Sequence, residues 1–207
     1  MPESIASLIG IAALVYASTN LDDLLILAVF FADPRVRAGA VVAGRFIALA
    51  VLVLASGAAA LLALAVPEEW IALLGLVPLI LGMRLLLALF REGSDGESEE
   101  NEAAAKVENA SRSGFAAQML AVAGVSLAND GDNLGVYIPL FAATPSAIPI
   151  YVVVFAVMTI VFCALGYLVV NNPLIGRYIR RYGDVLLPVV LIPLGLFILS
   201  DALPLLR

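Results

Sequence analysis

Polar positions are scarce along this 207-residue chain, and their spacing cuts the apolar remainder into blocks. Six blocks run over about 5–32, 38–66, 70–90, 115–141, 147–170 and 183–204. Blocks of this size reach the roughly twenty helical residues needed to cross a hydrocarbon core of about 30 Å. Short polar breaks separate them: "DPRVR", "VPEEW", "ATPSAIP" and "NNPLIGRYIRRYG". One long polar stretch, "REGSDGESEENEAAAKVENASRSG", divides the third block from the fourth, and its Gly, Ser and Glu content reads as a solvated linker. The pattern predicts an all-α integral membrane protein with six transmembrane helices: three in residues 1–91, an acidic linker at 92–113, and three in 114–207.

Composition agrees. The chain is 63% hydrophobic and 14% charged, with a mean hydropathy of +1.07, whereas a soluble domain is roughly half apolar and a quarter charged. The net charge of −6 belongs to one place: residues 92–108 hold seven acids and one base, and the rest of the chain is neutral. It therefore describes the linker and points to no nucleic acid. The absence of histidine excludes imidazole metal sites and Ser-His-Asp catalysis, and a single cysteine, Cys163, excludes an internal disulfide. Cys163 reads as a small buried apolar residue. The opening MPESIASLIG has no basic region before its apolar run and is not expected to be a cleaved signal peptide.

Basic residues set the expected orientation. Arg35, Arg37, Arg91, Lys106, Arg112, Arg177, Arg180 and Arg181 all fall in the first, third and fifth loops. By the positive-inside rule those loops and the linker face the cytoplasm, and both termini lie outside. Arg45 and Arg84 sit near the same helix ends, where long basic side chains are expected to snorkel to water.

Polar residues inside the blocks carry the chemistry. Laid over one another at a constant offset of 109, the halves match Asn20 with Asn129, Asp23 with Asp132, Phe46 with Phe155 and Gly57 with Gly166. Three crossings per half is an odd number, so the two repeats would be inverted, a plan common among secondary transporters. Both halves contain N-x-x-D, which on a continuous helix puts Asn and Asp on one face. A one-residue shift instead aligns Asp22 with Asp132; either register keeps an acid in both halves. In the second copy, Gly131, Gly135 and Pro139 favour local unwinding.

Four carboxylates, Asp22, Asp23, Asp130 and Asp132, face at most two intramembrane arginines, leaving negative charge to be met by protons or a divalent cation. Carboxylate, amide and carbonyl oxygens suit hard or borderline divalent ions, whereas copper(I) would want Cys or Met. Ser18, Thr19, Ser126, Asn133 and Tyr137 lie near the acids as further ligands or as helix-packing hydrogen bonds. The bland alternative, acids that only bond helices together, fits one isolated carboxylate better than a duplicated motif. An intramembrane aspartyl protease also needs two facing aspartates, but "NDGD" lacks the first glycine of the usual G-x-G-D sequence.

"ASTNLDDLLIL" together with "LANDGDNLGVYIPLF" resembles the cadmium-resistance transporter family, within the lysine-exporter superfamily of small six-helix exporters. The resemblance implies efflux of cadmium or a related divalent cation across a bacterial plasma membrane, with no enzymatic activity. It carries over to Asn20, Asp22, Asp23, Asn129, Asp132 and Asn133; Asp130 stands where the family pattern suggests a small residue, so this chain adds an acid. An amino-acid exporter of the lysine type is the alternative within the superfamily. The expected partners are the lipid bilayer, a divalent cation as substrate, protons as counter-ion and further copies of the chain, with no resident cofactor.

Overall fold

The structure, a computed structural model, describes residues 4–63, 73–89, 113–171 and 188–199. The acidic linker at 92–112, the "VPEEW" break and the "NNPLIGRYIRRYG" segment after its first residue, Asn171, lie outside the described residues. Helices α1 (Ile5–Thr19), α2 (Asp23–Ala32), α3 (Ala38–Ala63), α4 (Leu76–Leu89), α5 (Phe115–Asn129), α6 (Leu134–Ala143) and α7 (Ile148–Asn171) are followed by α8 (Pro188–Leu199). No strand occurs among the described residues. By length and composition two helices are long and apolar enough to cross a membrane, Ala38–Ala63 and Pro145–Val170, and the bent pair of α1 and α2 is a third candidate if it counts as one span. Leu54, Leu62, Val153 and Ile160 are exposed on α3 and α7. Such apolar outer faces suit lipid and not water.

The first block was expected to form one helix. Instead it bends by 63° at a break after Thr19, and polar side chains satisfy the backbone groups there. The main-chain and side-chain nitrogens of Asn20 both donate to the Tyr16 carbonyl, at 3.1 and 2.9 Å. Asp22 Oδ1 accepts the Asp23 N–H at 3.0 Å and starts α2. The fourth block is interrupted as well, by a 3₁₀ turn over Asp130–Asn133 that joins α5 to α6. Both N-x-x-D motifs thus lie across helix breaks.

The element order repeats. Shifted by 109, the starts of α1, α2 and α3 fall at 114, 132 and 147, against observed starts at Phe115, Leu134 and Ile148. Packing is exchanged between halves: α1 and α2 rest on α7, while α5 and α6 rest on α3. Gly39 lies beside Phe115, and Gly44 lies beside Met119 and Val122, so α3 and α5 run in the same direction. The absence of a side chain at Gly44 permits this approach, because a Cβ there would stand 2.5 Å from the Met119 carbonyl oxygen. Gly166 does the same for α7 against Leu27 of α2.

One end of the α3–α5 pair is tied by Gln118, which is buried. Its Nε2 donates to the Arg35 carbonyl at 3.0 Å, and its Oε1 accepts the Arg37 N–H at 3.0 Å. In the same loop Arg35 donates to Asp33, holding that carboxyl below the usual carboxylate range. On α6 and α7, Tyr137, Phe141, Tyr151 and Phe155 pack with Tyr16, which Phe162 meets edge-on, into one aromatic cluster, the closest ring pair being Tyr137 and Phe155 at 4.8 Å between centroids.

Candidate functional site

The two helix breaks meet at Arg45. From α3 its guanidinium forms ion pairs with Asp23, the first residue of α2, and with Asp130, the first residue of the 3₁₀ turn. It also donates to Asn20 Oδ1 at the end of α1. All four residues are no more than 1% exposed. The expectation that Arg45 snorkels is therefore overturned: the breaks of both halves surround its side chain, and carboxylates satisfy it in place. Arg84, on α4, is exposed.

A second tier of hydrogen bonds orients these groups. Asn129 Nδ2 donates to Asp23 Oδ1 at 3.0 Å and to Asp22 Oδ2 at 3.2 Å, joining the halves a second time. Asn133 Nδ2 donates to Asp130 Oδ1 at 3.3 Å. Asn20 Nδ2 donates to Tyr137 Oη at 2.9 Å and Thr19 Oγ1 at 2.8 Å, and the Tyr16 and Thr159 hydroxyls lie 2.8 Å apart. The cluster is thus bounded by the hydroxyl edges of Tyr16 and Tyr137, with the aromatic core behind them.

Of the residues singled out from sequence, Asn20, Asp23, Asp130 and Asn133 are buried, and Asn129 is half-buried. Asp22 is exposed at the edge, linked through Asn129. Asp132 is exposed and makes neither of the ion pairs to Arg45. The acid brought opposite Asp23 is therefore Asp130, three residues before Asn133, and not the offset partner Asp132. A helix break changes the rotation per residue, so the i, i+3 rule no longer fixes which side chain points inward. Tyr16 and Thr159 went unremarked in the sequence; the signal for Tyr16 was its place four residues before Asn20, on the same face of α1. Cys163 is buried and unpaired to any other cysteine.

The donor set is rich in oxygen but not arranged as a cage. Among the described residues no three His, Cys, Asp or Glu side chains converge on one point; a cation, Arg45, stands between the two buried carboxylates. Besides Asp23 Oδ2, which has only its ion pair to Arg45, three polar atoms in this region are buried without a hydrogen-bond partner: Asn129 Oδ1, Ser126 Oγ on the preceding turn of α5, and Arg45 Nε. The first two are oxygens of the kind that a hard or borderline cation accepts.

Fold and site together define an all-helical membrane protein whose buried polar centre lies at helix breaks. The family model for cadmium resistance transporters matches residues 16–205, nearly the whole chain including both breaks. The chain belongs to the cadmium resistance transporter family, which is a family of transporters and not of enzymes. No curated protein and no solved structure matches the chain.

Proposed function

We propose that this chain is a secondary exporter of divalent metal cations, cadmium or a related ion such as zinc or manganese, working by exchange for protons. The observation that carries the reading is the burial of Asp23 and Asp130 at two helix breaks that hold corresponding places in the chain. Ionisable groups within membrane spans cost several kcal/mol even on lenient insertion scales, and they mark ion pathways. Broken helices at corresponding points of two repeats are the sign of a transport site near the bilayer midplane. Asn20 and Asn129 complete the oxygen set, with Asp22 and Asp132 as outer acids that a cation meets before the buried pair. Asn133 orients Asp130. Protons neutralise the carboxylates when the metal leaves.

In this reading the protein has six membrane crossings arranged as two inverted three-helix repeats, joined by the acidic linker. The common offset of the helix starts, the exchanged packing and the parallel run of α3 and α5 support it. The distribution of basic residues supports a cytoplasmic linker and outside termini in a bacterial plasma membrane.

Metal-sensitive bacteria producing the wild type, Asp23→Asn or Asp130→Asn at equal levels test the assignment under cadmium, zinc, manganese, calcium and lysine stress. The wild type is expected to raise tolerance to at least one metal, and both variants to lose it. Unchanged metal tolerance in both variants rejects the site. Lysine tolerance without metal tolerance supports the amino-acid exporter instead.

A further inference from the structure

Arg45 occupies the position between the buried acids that a transported cation would take, and this has a consequence for loading. Asp23 and Asp130 carry two negative charges and the guanidinium one positive charge, all within a centre closed to solvent. A divalent ion held by both carboxylates beside an undisplaced Arg45 would put three positive charges against two negative ones. Like-charge repulsion at contact distance is weakly screened there. With Arg45 withdrawn, the same two carboxylates and a divalent ion are neutral.

The pairing is also incomplete on both sides. Arg45 engages the acids through its two terminal nitrogens while Nε stays buried without a partner. Asn129, which holds Asp23 in place through its amide nitrogen, keeps its own Oδ1 buried and unpartnered. That oxygen, engaged by no donor of the guanidinium, is free to bind an ion entering between the acids.

We propose that Arg45 is a tethered competitor for the transported cation: it pairs with Asp23 and Asp130 when the site is empty, offsetting one of their two negative charges and leaving the other to a proton, must leave them for a metal to load, and by returning speeds release. This rests on the proposed metal site and adds a residue that sets its affinity and turnover. Such a device suits an exporter, because a carboxylate pair with no competitor would hold its cargo too long.

Cadmium binding to the purified full-length chain in detergent, followed by calorimetry, tests it together with efflux from vesicles. Arg45→Gln is expected to bind cadmium about tenfold tighter or more and to turn over more slowly, so that KM and the maximal rate fall together; one factor of ten is the scale at which outer partners of a metal site act. Arg45→Lys, which keeps the charge, is expected to stay near wild-type affinity. Added guanidinium ion at millimolar concentration should weaken cadmium binding to Arg45→Gln, because it refills the vacated place. A purely structural arginine predicts the reverse: weaker binding in Arg45→Gln, improved by guanidinium. Equal or weaker binding in Arg45→Gln overturns the proposal.

Should Arg45→Gln fail to fold, nitrogen-labelled arginine in the wild type supplies the answer by NMR. The Arg45 side-chain resonance, assigned with Arg45→Lys, is expected to move on cadmium addition, and an unmoved resonance at saturating metal overturns the proposal. Cadmium binding that survives both Asp23→Asn and Asp130→Asn instead rejects the metal site itself, separating the two failures.

Discussion

Asn129 and Asp23, 106 positions apart in the chain, meet in a 3.0 Å hydrogen bond that crosses from one half of the molecule to the other. Asn129 is the last residue of α5, and Asp23 opens α2. The bond holds Asp23 in line with Arg45, and it does so from a side chain that has no charge of its own.

Replacing Asn129 by Leu, of similar size, removes this bond and the orphan oxygen together. Cadmium efflux from vesicles is expected to fall roughly tenfold or more while the protein still inserts, since supporting partners of metal sites commonly contribute 10–100-fold. Wild-type efflux in Asn129→Leu would show that the crossing bond has no part in transport.

The two second-half acids should respond differently. Asp130→Asn removes one of the two carboxylates bonded to the buried guanidinium while Asp23 still balances its charge, so the expected loss is that of a buried hydrogen bond to a charged group, about 1.5–3 kcal/mol. Asp132 is exposed, and Asp132→Asn is expected to change stability by no more than about 0.5 kcal/mol. Thermal unfolding in detergent reads the contrast, and equal destabilisation by the two changes would contradict the burial seen here.

Tyr137→Phe tests the hydroxyl tier alone. Its ring packing on Phe155 is kept, while the hydroxyl contacts to Asn20 and Thr19 at 2.9 and 3.2 Å are lost. Because Asn20 Nδ2 has other acceptors, the expected loss is about 1 kcal/mol, at the modest end for a buried hydrogen bond. Tyr137→Ala, which also empties the ring position, should cost about 3–5 kcal/mol by analogy with other large aromatic truncations. Equilibrium unfolding of the pair separates the hydroxyl from the ring.

Two glycines on α3 make an internal control for helix packing. A methyl group at Gly44 would press on the Met119 carbonyl and on Val122, whereas nothing lies within 4 Å of one at Gly57. Gly44→Ala is expected to destabilise by about 1–3 kcal/mol through overpacking. Gly57→Ala should be neutral or stabilising by up to about 1 kcal/mol, through better helix propensity. Melting temperatures of both variants check the close approach of α3 and α5.

Membrane residence was legible in the sequence because lipid tolerates only apolar side chains on the outside of a span, and that demand is written residue by residue. The duplicated N-x-x-D motif was legible too, since polar residues stand out against such a background and mark both breaks. Family membership followed from the same two stretches and holds over residues 16–205. Hydropathy did not show that "STNLDDLL" breaks its helix by 63°, because no Gly or Pro announces it and the break is sustained by side chains bonding back to the main chain.

The sequence by itself therefore determined the solvent of this protein, the class of its elements and the neighbourhood of its acids, all of which depend on local composition and period. Only the tertiary structure decided which acids face one another. Asp130 turns inward and Asp132 outward because a 3₁₀ turn rotates the chain differently from an α-helix. Only the fold, too, carried Arg45 to Asp130 across 85 residues. A cation and its counter-ions so far apart in sequence share no local signal; the free energy of burying charge joins them once α3 and α5 come together.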